Sequence, residues 1–311
     1  MREARRTKML GRALPGWETP SRWSRRLVIR GVGVSAHYVA LVICATVILI
    51  PILWTLSTAL KEAGQVYEFP PRWIPQPAVW SNFVEAWSAK VPFNLFFRNT
   101  LVITLVPLVG SILSCSLVAY GFAFFRFPHR ELLFVIVLAT LMIPFQVTVI
   151  PSYVIFRQLG WLNTYKPFIV PAFLADSAFS VFLLRQFFLT IPKELQDAAV
   201  IDGAGPLTFY WRVLMPLATP AVVTVAVIGF VNRWNDFMGP LIYLSSVEKF
   251  PVSLGLNFFK TFYGGGSSGG GVADMHLLMG AALLVLAPCV VVFLVAQRAY
   301  IRGVMTGGVR G

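Results

Sequence analysis

Asn99-Thr-Leu-Val-Ile-Thr-Leu-Val-Pro-Leu-Val-Gly-Ser-Ile-Leu-Ser-Cys-Ser-Leu-Val-Ala-Tyr-Gly-Phe-Ala-Phe-Phe125 is a run of 27 residues without one Asp, Glu, Lys or Arg. A helix that crosses the hydrocarbon core of a bilayer needs about 20 mostly apolar residues, and this run supplies them with room to spare. Four more charge-free runs follow the same rule: Gly31–Leu60, Leu132–Phe156, Val213–Asn232 and Met275–Gln297. A sixth, Pro167–Leu184, is broken once by Asp176 and continues through Arg185-Gln-Phe-Phe188. The spacing therefore predicts an all-α polytopic membrane protein with six transmembrane helices.

Composition agrees. Of 311 residues, 57% are hydrophobic and 13% charged, and the mean hydropathy is +0.73; a soluble domain carries about 25% charged residues. The longest stretch left between spans is Lys61–Arg98, so no separate soluble domain fits. Two regions are expected: a basic tail at 1–36 and a six-span membrane domain at 37–311. The net charge of +13 reads as membrane orientation rather than nucleic-acid binding, because the basic residues flank the apolar runs. With the amino terminus inside, 17 of the 26 Lys and Arg fall on the inner side, which by the positive-inside rule places both termini in the cytoplasm. Ser57-Thr-Ala59 has the look of a signal cleavage site, but the apolar run before it is far longer than a signal's h-region of about 7–15 residues. Cys44, Cys115 and Cys289 lie far apart in apolar runs and imply neither disulfide nor metal. Glu68–Pro77 is a proline-rich outer segment, and Gly264–Gly271 a low-complexity loop.

One inner connection is too rich to be a linker. Pro192-Lys-Glu-Leu-Gln-Asp-Ala-Ala-Val-Ile-Asp-Gly-Ala-Gly-Pro-Leu-Thr-Phe-Tyr-Trp-Arg-Val-Leu-Met-Pro216 joins spans four and five. Pro192 suits a first helical turn, and Glu194 and Asp197 favour the positive end of a helix. Leu195, Ala198, Ala199 and Asp202 share one face. Gly203 stops the helix in the left-handed conformation, and Gly205-Pro206 opens a second one. The result is a helix–turn–helix knob, either resting on lipid or docking a cytoplasmic partner.

Asp197-Ala-Ala, Gly203 and Val213-Leu-Met-Pro216 resemble the EAA motif of ABC-importer permeases, which reads Glu-Ala-Ala, three residues, Gly, nine residues, Ile-x-Leu-Pro. Asp197, Val213 and Met215 replace Glu, Ile and Leu, and the spacing is kept. Ile143–Pro151, Leu159–Thr164, Phe182–Phe188 and Arg233-Trp-Asn-Asp-Phe237 are similar to the carbohydrate branch. The tail Gly303–Gly311 is similar to that of the smaller permease subunit of maltose-type transporters. The resemblance implies an inner-membrane subunit of a prokaryote that translocates a sugar or oligosaccharide by alternating access. It also implies the partners: a second, distinct permease subunit, two copies of a cytoplasmic ATPase that hold the ATP and Mg, and an extracytoplasmic solute-binding protein. Glu194, Asp197, Ala198, Ala199, Asp202, Gly203 and Pro216 would form the ATPase-coupling contact, and Thr306, Gly307 and Gly308 a tail contact. The loop 250–274 lies where such permeases reach into the binding protein, although its glycines are equally read as slack.

The chain has no nucleotide site or catalytic constellation of its own. A Walker A loop needs Gly-x4-Gly-Lys-Ser/Thr, and Gly255…Lys260-Thr261 lacks that pattern. His37, His129 and His276 stand apart from Cys or carboxylate partners. For the solute pathway the candidates are Gln146, Asp176, Trp234, Asn235 and Asp236. An intramembrane Asp at a helix centre must face protein or water: Asp176 either lines a cavity or hydrogen-bonds Ser177, Ser180 or a neighbouring subunit. Gln146 and Thr148, between Pro144 and Pro151, sit in a kinked segment, where helix–helix hydrogen bonding competes with solute contact. Arg233 and Asp236 are three apart and able to pair on a helix, beside the aromatic face of Trp234 and the amide of Asn235; an outer aromatic belt explains them equally well. Rival readings are a permease for glycerol phosphodiester or polyamine, a self-sufficient secondary transporter, and a membrane-embedded enzyme.

Overall fold

The computed structural model describes residues 21–88, 93–263 and 274–308, with side chains from residue 37 onward except at 259, 261–263 and beyond 297. Contacts divide the chain into two units, Met1–Trp54 and Thr55–Gly311. The described residues hold helices and no strand.

In the first unit, α1 (Ser21–Ala59, its last residues in the second unit) carries the apolar run, and residues 37–53 are exposed along it. The second unit is organised around α3 (Phe93–Phe124), preceded by the short α2 (Ser81–Ser88). Asn82 on α2 donates from Nδ2 to the carbonyls of Ala59 (2.9 Å) and Lys61 (2.8 Å), closing off carbonyls that the end of a helix leaves without partners. After α3 come α4 (Arg130–Ala139) and α5 (Phe145–Gln158), which meet at 98° across Ile143-Pro144. Pro144 fixes the extended conformation that ends the first helix. Span four is also interrupted: α6 (Lys166–Ile169) runs into a 3-10 turn at Pro171–Leu174, Ala175 takes a left-handed φ of 57°, and α7 (Ala178–Phe188) restarts under a Ser177 cap. Then follow α8 (Glu194–Ile201), α9 (Pro206–Phe209), a π turn at Tyr210–Leu214, α10 (Met215–Leu217) and α11 (Thr219–Trp234), with a 78° bend before α11. The chain closes with α12 (Met238–Tyr243), α13 (Val252–Tyr263) and α14 (Met275–Gly308). Four helical segments are long and apolar enough to cross a membrane, and six if each bent pair is one crossing. The sequence count of six holds on that basis, with spans three and five sharply bent rather than straight.

Two cores sit along α3. One gathers Cys115, Ala119 and Tyr120 with Val181, Leu184 and Phe188 of α7, Phe209, Tyr210 and Leu214. The other, at the opposite end of α3, packs Phe93, Phe96 and Leu108 against Phe230, Trp234, Val252 and Leu277. Gly255 lies inside α13, where any side chain would run into the Phe96 ring. The sequence expectation of a loop from Phe250 therefore gives way to a helix through Tyr263, with the glycine-rich stretch 264–273 outside the described residues.

The interruption in span four is matched by small polar residues on α3. Ser114 Oγ donates to Ala172 O (2.8 Å) and accepts from Ala175 N (3.0 Å), and Cys115 Sγ donates to Ser177 O (3.6 Å). Backbone groups freed by a broken helix cannot be satisfied by lipid, and these side chains take them instead.

Candidate functional site

The connection between spans four and five holds two short helices, α8 and α9. α8 begins at Glu194, two residues after Pro192, and its N-terminal turn holds Glu194 and Asp197. Gly203 has φ +80° and donates to Val200 O at 3.0 Å, which terminates the helix. Leu195, Asp197, Ala198, Val200, Ile201 and Asp202 are exposed, and Ala199 packs towards the core. The expected face of Leu195, Ala198, Ala199 and Asp202 is thus divided, because Gln196 and Ala199 are the half-buried pair that rests on the protein. No residue of α8 is buried, and beside the exposed Glu194, Asp197 and Asp202 the knob bares large apolar side chains: Ile201 is 86% exposed, Leu207 65% and Trp211 52%.

The root of the knob is the opposite. Phe209, Tyr210 and Leu214 are at most 1% exposed. Tyr210 OH and Ser116 Oγ lie 2.6 Å apart, and Tyr120 OH donates to Pro206 O at 3.2 Å. Tyr120 also stacks its ring edges among Phe124, Phe209 and Tyr210. The knob is rigidly rooted and bare at its tip. Pro216 is exposed within α10, at the bend that leads into α11. Thr306, Gly307 and Gly308 end α14, and their side chains lie outside the described residues.

The pathway candidates scatter. Asp176 stands in the non-helical break, not at a helix centre, and its partners are neither Ser177 nor Ser180. Ser111 Oγ donates to Asp176 Oδ1 (2.7 Å), and Arg233 Nη2 donates to Asp176 Oδ2 (2.9 Å). Arg233 consequently does not pair with Asp236: α11 ends at Trp234, so the three-residue helical spacing is lost. Asp236 Oδ1 instead accepts from Gly239 N (3.1 Å) at the start of α12. Burial pushes the Asp236 carboxyl above its ordinary range, against the pull of the Gly239 and Met238 amides. Trp234 offers no face to a solute here. It is 1% exposed, its indole stacks on Phe230 and meets the Phe97 edge, and Nε1 donates to Val285 O (3.0 Å). Asn235 is exposed, with Nδ2 donating back to Val231 O (2.8 Å). Gln146 is exposed in the first turn of α5, just past the 98° bend.

Two partners escaped the sequence reading. Ser111 carried only the faint signal of a small polar residue in an apolar run. Arg185 is 7% exposed: its Nη2 donates to both Glu131 oxygens at 3.1 Å, and its guanidinium lies 3.9 Å over the Phe134 ring. Both contacts are 54 residues or more apart in sequence, beyond any local pattern.

A helical, multiply spanning chain with a rooted knob is the architecture of a membrane permease, and comparison with known proteins agrees. Residues 92–306 match the family described as binding-protein-dependent transport system inner membrane component. The chain belongs to that family. It is 34% identical over 281 residues to the sn-glycerol-3-phosphate transport system permease protein UgpE of Yersinia enterocolitica, covering 89% of this chain and 97% of that one. It is 33% identical to the arabinooligosaccharides transport system permease protein AraQ of Halalkalibacterium halodurans, covering 82% of this chain and 86% of that one. A chain from the crystal structure of a bacterial ABC transporter that imports the acidic polysaccharide alginate has the same fold, with a TM-score of 0.75 at 24% identity, over 92% of this chain and 99% of that one. This chain is therefore a multi-pass permease subunit of the inner membrane.

Proposed function

We propose that this chain, with a second permease subunit, forms the translocation path of an ABC importer for a neutral sugar or oligosaccharide. Two copies of a separate ATPase subunit bind ATP and Mg, dock on the knob and drive alternating access; a solute-binding protein delivers cargo on the opposite side. Both termini are cytoplasmic in this reading. The observation that carries it is α8: an eight-residue helix with no buried residue, anchored through Phe209, Tyr210 and Leu214. Such a helix gains nothing by projecting unless a partner covers it. Glu194, Asp197, Ala198, Ala199, Asp202 and Gly203 form or shape its contact, Pro216 sets the bend behind it, and Thr306–Gly308 add the tail contact.

The neutral cargo is favoured by the Asp176–Arg233 pair. Its two charges cancel at 2.9 Å, which leaves hydrogen-bonding groups, with Asn235, Asp236 and Gln146 as further candidates, rather than an unpaired cation for an anion. The likeness to an arabinooligosaccharide permease points the same way. The likeness to a glycerol-3-phosphate permease favours a second reading, a phosphorylated polyol. Uptake by proteoliposomes that contain the whole complex, with binding protein outside and ATP inside, separates them. Accumulation of a neutral oligosaccharide that glycerol-3-phosphate does not compete supports the first; competition by glycerol-3-phosphate supports the second. Uptake by this chain alone, without ATPase, contradicts both.

A further inference from the structure

A cavity of about 590 Å³ opens where the turn after α3 and the first turn of α4 meet the start of α8. Its polar wall is cationic: Arg126, Arg130 and Lys193, with His129 beside them. Its remaining walls are apolar, from Phe127 and Leu132, which are 37% and 58% exposed. One carboxylate, Glu131, lines it, and that carboxylate is already shared. Glu131 Oε1 accepts from Arg130 Nε (3.0 Å) and Nη2 (2.8 Å), and both its oxygens accept from Arg185. Arg126 and Lys193 make no ion pair among the described residues, so the cavity keeps a positive excess.

The depth of the cavity selects the anion. One candidate span ends at Phe124, the next begins at Arg130 and a third ends at Phe188; Arg126, Arg130 and Lys193 thus all flank the ends of apolar spans, where headgroups meet a membrane helix. Leu132, Leu133, Val135 and Ile136 continue outward from the cavity as an exposed apolar surface. A free phosphate would use the cations and leave the apolar walls bare. A phospholipid uses both, with its phosphate between Arg126 and Lys193 and its acyl chains along α4. Basic pockets between membrane helices hold anionic headgroups in this manner.

We propose that the Arg126–Lys193 cavity is a binding site for the phosphate headgroup of an anionic phospholipid, placed beside the root of the knob. The inference needs the membrane assignment but not the importer reading.

The test titrates phosphatidylglycerol and phosphatidylcholine separately into the purified, delipidated full-length protein, kept with its co-purifying subunits, and reads lipid binding by native mass spectrometry. Arg126 and Lys193 are exposed, so R126Q/K193Q removes charge without opening the core, and R157Q/K166Q, at two exposed cations outside the cavity, serves as a charge-matched control. The expected result is retention of phosphatidylglycerol over phosphatidylcholine, weakened roughly 10- to 30-fold in R126Q/K193Q by the loss of two cations and unchanged in the control. Equal binding of the two lipids, or equal affinity of the double variant and wild type, overturns the proposal. Competition by inorganic phosphate as effective as the lipid also overturns it, in favour of a free-anion site. Loss of the ATPase from the double variant with lipid binding intact overturns it in favour of a protein contact.

Discussion

The tip of the knob and the interior of the helices solve opposite problems. At the tip, Ile201, Leu207 and Trp211 are apolar and exposed, and none of the described residues covers them. In the interior, Asp176, Arg185 and Arg233 are charged, yet each already has a partner at 2.9–3.1 Å. Exposed apolar surface on a rigid root asks for something outside the chain. A paired charge asks for nothing until the pair opens. In the proposed function the two regions act at different times: the knob would receive a partner in the resting protein, and Asp176–Arg233 would become available to a solute only when the helices move. Between them runs α3, which packs against the root of the knob through Ser116 and Tyr120 and against Asp176 through Ser111.

Removing interior partners has the largest expected effect on stability. Arg185→Met strips the hydrogen bonds to Glu131 and to Phe122 O and the contact with Phe134; unfolding in detergent should show a loss of about 2 kcal/mol, carried by the hydrogen bonds of the buried guanidinium rather than by the ion pair, because Glu131 is exposed. Arg233→Met leaves Asp176 with Ser111 alone and should cost about 1–2 kcal/mol, since the pair is part-exposed. Adding Asp176→Asn to Arg233→Met should recover part of that loss; a double variant as weak as the sum of the two singles would show that the pair does not couple. At the root, Tyr210→Phe breaks the contact with Ser116 and should cost about 1 kcal/mol. At the tip, Ile201→Ala should change the stability of the isolated chain by less than about 0.5 kcal/mol while weakening the ATPase interaction, measured by co-elution. A large stability loss from Ile201→Ala would mean that the tip is covered by the chain itself, and the contrast would fail.

Much of this contrast was legible in the residues. Charge-free runs marked the helices because lipid tolerates little else, and Gly203 marked the end of α8 because a left-handed φ favours glycine. What local pattern could not supply was contact between distant runs. Asp176 was legible as an expensive residue but not as the partner of Arg233, 57 positions away. Arg233 and Asp236 carried helical spacing, and the helix ended between them. Trp234 looked equally suited to a sugar face or an aromatic belt; the core chose it because its ring fits between Phe97 and Phe230 and its N–H reaches Val285 O. The bend at Pro144 followed from breaker chemistry only in kind, and the one at Ala218 carried no signal that was read, since the angles depend on what packs behind them.

The central claim is that the knob is where an ATPase docks, and Gly203 is its most exposed dependency. Proline there is incompatible with φ +80° and removes the N–H that Val200 O accepts. Affinity purification of the solubilised complex, wild type beside Gly203→Pro, should return an ATPase, a second permease and a binding protein with wild type. The ATPase should fall at least tenfold in the variant while the second permease remains. Equal ATPase recovery from both proteins, or its absence from wild type that still transports solute, would contradict the account.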